Sequence, residues 1–391
     1  MITLPFGSMW SNRSEDGTTF KNIGPIIPDE TILDNVYWAC NNCWRCLPGP
    51  PQEGYKEFGR KWYKPCNIKE KLQELRCDPA TKENAHAFWI GHATTLLCLP
   101  SGTNVMFDPI FADRASPFSW AGPARRFPPS ASFDQLPNVD IITISHNHYD
   151  HMCEKSLRRL YKQFPRVIFV TPLRLGETLI RWGIPASNIK QMDWWEEMLI
   201  KDVVVGCAPA HHWCQHFAFD RNEQLWSGWV IGWRPDGSGI PPYTRSEKGN
   251  IEPHYTTSLM TSDFVEGVVP GEPTVDWDSL TTYYFTGDTA FNEPMFHLIR
   301  RRFTRIDMAA LPIGAYAPRW YMYNAHIDPE NEAKVFNIIQ CKDAFAVHWA
   351  TFELADEPLD EPQALLEAAK AEEGIPEEKF RCIPIGTYVS F

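Results

Sequence analysis

Residues 139–145 read VDIITIS, a nearly continuous apolar run that opens directly into His146-Asn147-His148-Tyr149-Asp150-His151. Such a run suits a strand buried on both faces, which is the habit of parallel strands in layered α/β proteins. Three imidazoles and a carboxylate within six residues then sit on the loop that leaves this strand. Two histidines two residues apart can converge on one ion, while Asp150 and His151 face a neighbouring one. Imidazole nitrogen and carboxylate oxygen are ordinary zinc ligands, and two zinc ions about 3.5–4 Å apart form a hydrolytic site. The competing reading is a turn of mutually satisfied polar residues.

A two-ion site needs donors from elsewhere in the chain. Three further apolar runs end in candidates: 202–208 leads into His211 and His212, 282–286 into Asp288, and 344–347 into His348. Spacing alone does not choose between His211 and His212. Donors gathered behind the carboxyl ends of strands match the place where open α/β sheets put their sites.

The rest of the pattern fits that reading from residue 84 onward. Residues 85–99 and 103–111 are two β-rich runs joined by the turn Pro100-Ser101-Gly102, a hairpin. A strand over 167–170, a terminal strand over 382–391 and helices over 154–163, 173–182 and 294–302 follow from periodicity. Asp328 is placed to cap a helix that Pro329 opens and whose apolar stripe covers 334–339, and Pro362 and Gly374 bracket the last helix. Pro-rich 127–137 reads as a loop, and 234–253 is long enough for an insertion or lid. Residues 1–83, rich in Pro, Trp and Cys, form an N-terminal extension to a catalytic domain over 84–391.

Composition narrows the function classes. The chain has 391 residues, 43% hydrophobic and 22% charged, which marks a folded globular protein. No run approaches the ~18 apolar residues of a spanning helix, and the first ten residues lack a basic leader, so the expectation is an intracellular chain without a membrane span. A net charge of −12 disfavours nucleic acid as a partner. Cys40, Cys43 and Cys46 could be read as part of a zinc ribbon or as acylation sites, but no second C-x2-C accompanies them, so free thiols are expected. The 16 Trp and 23 Phe serve either the core or a membrane interface.

The pattern HxHxDH, then His, Asp and His, resembles the metallo-β-lactamase fold, a four-layer αββα sandwich. Longer stretches narrow the likeness: WIGHAT, DPIFADRASPFSWAGP, ISHNHYDH, DWWEE, HWC, GDT, PIGAYAPRWYM, HIDPE and HWATF are similar to the family of N-acylphosphatidylethanolamine-hydrolysing phospholipases D over about residues 86–358. That resemblance implies two Zn2+ ions per chain, one held by His146, His148 and His212, the other by Asp150, His151 and His348, with Asp288 bridging. It selects His212, the histidine directly before Trp213. It assigns catalytic roles to Asp150, Asp288 and His326, and places Tyr149 and His326 beside the bound phospholipid. Asp108 becomes either a carboxylate that orients a ligand imidazole or a turn cap before Pro109. The chain departs from the family at Ala325 and Gln215.

The implied reaction is hydrolysis of N-acylphosphatidylethanolamine to N-acylethanolamine and phosphatidic acid. A zinc pair lowers the pKa of bound water to about 7 and leaves the cluster net positive, which suits an anionic phosphodiester. Peripheral membrane association, a homodimer and binding of a bile-acid-like amphiphile are implied as well. Segments 118–120 and 320–323 could line an apolar route from the bilayer, or simply pack in the core. The alternatives are another hydrolase of the same fold, acting on a lactone, thioester or nucleic acid, and a non-catalytic lipid-binding protein that keeps a metal site.

Overall fold

The computed structural model describes residues 12–14, 16–24, 49–217, 219–236, 238, 240 and 275–391. The Cys40/Cys43/Cys46 cluster and most of the 234–253 loop lie outside the described residues.

Two amphipathic helices, α1 (Gly54–Trp62) and α2 (Ile68–Cys77), precede the first strands. Next come β1 (His86–Gly91), β2 (Thr94–Cys98), β3 (Asn104–Phe107), β4 (Ile141–Thr143), α3 (Glu154–Gln163), β5 (Ile168–Pro172), α4 (Leu175–Arg181) and β6 (Ile189–Met192). The second half supplies β7 (Glu197–Ile200), β8 (Val203–Ala208), β9 (Gly228–Trp233), β10 (Thr281–Phe285), α5 (Glu293–Arg302), β11 (Met308–Pro312), α6 (Arg319–Met322), α7 (Pro329–Ile338), β12 (Asp343–Val347), α8 (Glu361–Glu372), β13 (Phe380–Arg381) and β14 (Tyr388–Ser390).

The strands make two seven-stranded sheets, ordered β14-β1-β2-β3-β4-β5-β6 and β13-β12-β11-β10-β9-β8-β7. In each sheet one half is antiparallel and the other parallel: β3 to β6 run parallel in the first, β10 to β13 in the second. Strand alternation sorts the side chains into layers. Trp89, Leu97, Val105 and Phe107 point to the inner core shared with the second sheet, where Phe107 meets Tyr283 and Phe285 at ring separations of 5.2 and 5.0 Å. Phe88, Ile90, Leu96 and Met106 face the other way, onto Leu72 of α2, Leu157 of α3 and Leu179 of α4. Phe296 of α5, Phe336 of α7 and Leu366 of α8 join the inner cluster from the far side of the second sheet. The result is an αββα sandwich, as the sequence leads one to expect.

Several element assignments need correction. The run 85–99 is two strands, because the chain reverses at His92 and Ala93; His92 adopts the left-handed region with φ 53°. Strands β6, β7 and β9 have no counterpart in the sequence reading: β6 carries Lys and Gln at its centre, β7 is four residues long and half-exposed, and β9 interleaves Gly with Trp. The terminal strand is short, covering Tyr388–Ser390 only. Residues of the N-terminal extension also enter the core, with Phe20, Ile23, Phe58 and Trp62 in the inner cluster.

Candidate metal centre

Each sheet delivers donors from the ends of its strands. In the first sheet, β4 lies between β3 and β5 with all three residues buried, and it releases the chain into Ser145–His151 at the edge of the inter-sheet space. In the second, β8, β10 and β12 lead to His212, Asp288 and His348. Close approach requires glycine at two of these exits. Gly287, at φ 65°, has room for no Cβ, which would lie 2.8 Å from the Ser145 Cβ. A Cβ on Gly314 would come within 2.3 Å of the His348 carbonyl oxygen.

All seven proposed donors converge. Nε2 of His146 and Nδ1 of His148 are 2.9 Å apart, and Nδ1 of His148 and Nε2 of His212 are 3.2 Å apart. Oδ2 of Asp150 is 3.3 Å from Nε2 of both His151 and His348. Asp288 stands between the two sets: Oδ2 is 3.1 Å from His151 Nε2, 3.8 Å from His212 Nε2 and 3.9 Å from His146 Nε2, while Oδ1 is 3.1 Å from His348 Nε2. Ligands at 2.0–2.1 Å around a tetrahedral ion are separated by about 3.3 Å, so these spacings fit metal coordination.

The polar atoms inside the cluster support the same conclusion. Both carboxylate oxygens of Asp288 and Nε2 of His151 are buried without a hydrogen-bond partner. Orphaned lone pairs at this depth cost free energy unless a cation satisfies them. Charge is distributed accordingly. Burial opposes ionisation of Asp150 and Asp288, yet the neighbouring imidazoles hold both well below the usual carboxylate range. Burial likewise opposes protonation of His348 and His151, but Asp288 and Asp150 outweigh it, raising His348 to about 9 and His151 well above its ordinary value. Burial keeps His146 and His212 neutral and lowers His148 to about 4. Two carboxylates that draw protons onto their neighbours mark the place where a metal cation can replace those protons.

Outer partners fix the donors. Asp108, fully buried at φ 40°, is 2.7 Å from Nδ1 of His151 and accepts from the Ser145 N–H at 2.7 Å, so this carboxylate orients an imidazole rather than merely capping a turn. The Ala325 carbonyl accepts from His212 Nδ1 at 2.7 Å, and Ser145 Oγ is 2.9 Å from His146 Nδ1. His211 turns away, its Nδ1 3.0 Å from the Asn292 amide nitrogen. Geometry therefore separates the two neighbours that spacing could not.

His326 sits at the mouth, its Nδ1 3.7 Å from Asp288 Oδ2 and its side chain 16% exposed. Tyr149 is half-buried, with its hydroxyl donated to the His216 carbonyl at 2.7 Å. Phe118, Trp120, Trp320 and Tyr323 are exposed, which removes them from the core. The sequence reading missed His92 altogether. Its Nε2 is 2.9 Å from Asp150 Oδ2, and its ring lies 4.1 Å from that of His348. Its position inside an apolar strand run gave no signal of this contact.

Known proteins resemble the chain over the same region. The β-lactamase superfamily domain matches residues 103–240 and 274–349. N-acyl-phosphatidylethanolamine-hydrolyzing phospholipase D 1 of Caenorhabditis elegans is 30% identical over 294 residues, 72% of this chain and 70% of the relative. The mitochondrial enzyme of that name in Saccharomyces cerevisiae is 24% identical over 76% of this chain and 55% of its own length. Among solved structures, an isothiocyanate hydrolase from Delia radicum gut bacteria shares the fold at a TM-score of 0.52 and 18% identity, covering 78% of this chain and 99% of that one. Strand order, donor cluster and relatives agree, and the chain belongs to the β-lactamase superfamily as a metal-dependent hydrolase of the metallo-β-lactamase fold.

Proposed function

We propose that this chain is a zinc phosphodiesterase that hydrolyses N-acylphosphatidylethanolamine to N-acylethanolamine and phosphatidic acid at a membrane surface. The observation that carries the two-ion reading is Asp288, whose unpartnered oxygens face both donor sets. His146, His148 and His212 would hold one ion and Asp150, His151 and His348 the other. When bound, such a pair supplies Lewis acidity and a nucleophile at neutral pH.

The chain's own groups prepare that chemistry. Asp108, Ser145 and the Ala325 carbonyl fix three imidazoles, so the donors need little reorganisation. His326 is lowered to about 4 by burial, and a neutral imidazole at the mouth suits a hydrogen bond to a headgroup. The choice of phospholipid rests on the likeness to the worm and yeast enzymes and on the long motifs 108–123 and 312–322. Exposed Phe118, Trp120, Trp320 and Tyr323 give an insoluble substrate apolar surface to meet. Among the described residues no helix is long and apolar enough to cross a membrane, which is consistent with peripheral binding.

Incubating the purified protein with mixed phospholipid vesicles and identifying products by mass spectrometry tests the reading. N-acylethanolamine and phosphatidic acid in equal amounts are expected. Intact phospholipid alongside turnover of a lactone, thioester or RNA would overturn the substrate assignment while leaving a hydrolase.

A further inference from the structure

We infer that residues 12–14 and 16–24 form a strap whose Asn22 is a positioning residue for His212, and thus for one half of the metal centre. The segment lies outside the stretch matched by the superfamily domain, which begins at residue 103. The inference rests on His212 being a metal ligand.

His212 needs external support. It follows β8 in an irregular stretch, with no strand to satisfy its backbone. Asn22 supplies what a strand would. Its Oδ1 accepts from the His212 N–H at 3.0 Å, and its Nδ2 donates to the His212 carbonyl at 2.9 Å. The same Oδ1 accepts from Trp226 Nε1 at 3.1 Å, tying the clamp to a fully buried ring. A primary amide that meets both the N–H and the C=O of one residue fixes the peptide planes on either side of it. With the Ala325 carbonyl holding Nδ1, both the backbone and the ring of His212 are set, and Nε2 is aimed at the cluster.

The strap is anchored on each side of Asn22. Phe20 is buried, with the guanidinium carbons of Arg13 and Arg174 each 5.0 Å from its ring centroid, and its N–H donates to the Asn222 carbonyl at 2.7 Å. Arg174 also donates to the Gly17 carbonyl at 2.9 Å. On the other side Ile23 is buried, and its carbonyl accepts from Asn292 Nδ2 at 3.1 Å, the same amide that contacts His211. Outer partners of this kind typically contribute 10–100-fold to metal affinity.

The test uses the full chain loaded with Co2+, reading the visible ligand-field spectrum, the rate of Co2+ release to a chelator, and the unfolding temperature. Asn22→Ala should release one of two ions at least about tenfold faster, with an altered spectrum and a near-native unfolding temperature. Asn22→Asp keeps the acceptor and loses the donor, so it should fold and fall between Asn22→Ala and wild type. Wild-type release and spectrum in both variants, with an ion lost in His212→Ala, would overturn the strap and leave the metal reading intact. Two ions retained in His212→Ala would overturn the ligand assignment and the strap with it. Equal weakening of both ions together with a large fall in unfolding temperature would mark Asn22 as a general packing residue and also reject the inference.

Discussion

Asp150 offers one oxygen to the cluster and is gripped through that same carboxylate by His92, 2.9 Å away and fully buried. Burial and the nearby His348 keep His92 far from protonation, lowered to about 3, so it acts as a neutral donor through Nε2–H. Its own backbone is tied on two sides: the N–H donates to Thr351 Oγ1 at 2.8 Å, and the carbonyl accepts from the His348 N–H at 3.1 Å. The left-handed φ of His92 is held in place by these bonds. His92→Ala should therefore weaken the ion served by Asp150, His151 and His348 by about 10–100-fold and spare the other, as read by chelator competition. His92→Gln should recover part of the loss, since an amide can still donate to the carboxylate. Equal affinity in His92→Ala and wild type would refute the role. The six residues from His146 to His151 declared themselves because all their donors lie in one short stretch. His92 and Asn22 did not, because their meaning depends on partners 58 and 190 residues away.

At the scale of elements, strands read best where burial is two-sided and worst where polarity or glycine interrupts the pattern. The runs behind β4, β8, β10 and β12 were legible because their apolar character is continuous, and those four strands carry the site. Strands β7 and β9 were hidden, and β1 and β2 were fused, because the reversal at Gly91 and αL His92 offers one glycine inside an otherwise continuous β-rich run, with no Pro, Asn or Asp beside it. The short helix α6 links the exposed aromatics to the site. It ends where the His326 N–H donates to the Met322 carbonyl at 2.8 Å, so the helix carrying Trp320 is continuous with the residue at the mouth. Trp320 and Tyr323 are each 46% exposed, and Phe118 and Trp120 are 53% and 77% exposed on another loop. Replacing Trp320 and Tyr323 together by Ser should lower co-sedimentation with neutral-lipid vesicles and slow turnover of vesicle substrate, leaving metal content unchanged. Because apolar insertion is not screened, wild-type binding should persist at 1 M salt, where the Debye length is about 3 Å. Release of the wild type by salt would count against aromatic docking.

Across the whole molecule, the donor cluster is a tie between two sheets that also meet through apolar packing, such as Phe107 against Tyr283 and Phe285, and through single hydrogen bonds, such as Tyr283 to Thr95 and Trp229 to the Ile144 carbonyl. His146, His148, Asp150 and His151 belong to the first sheet's loop, whereas His212, Asp288 and His348 belong to the second. An ion that binds this folded arrangement and not the unfolded chain adds stability by mass action, about 2.7 kcal/mol at a hundred times its dissociation constant. Removing the ions does more than forfeit that amount. It leaves Asp150 and Asp288 buried beside each other, with only protonated His151 and His348 to balance them. Even balanced in sign, four charges held out of water carry a desolvation cost in an interior. Chelation should therefore lower the unfolding temperature by at least about 5 °C, and re-addition of Zn2+ should restore it. The Asn22→Ala strap variant separates the two contributions, since it should start nearer the chelated value only when metal is scarce and match the wild type when metal is in excess. An unfolding temperature that ignores complete chelation, verified by metal analysis, would mean that packing and hydrogen bonds hold the sheets together without the ions and that the centre is purely chemical.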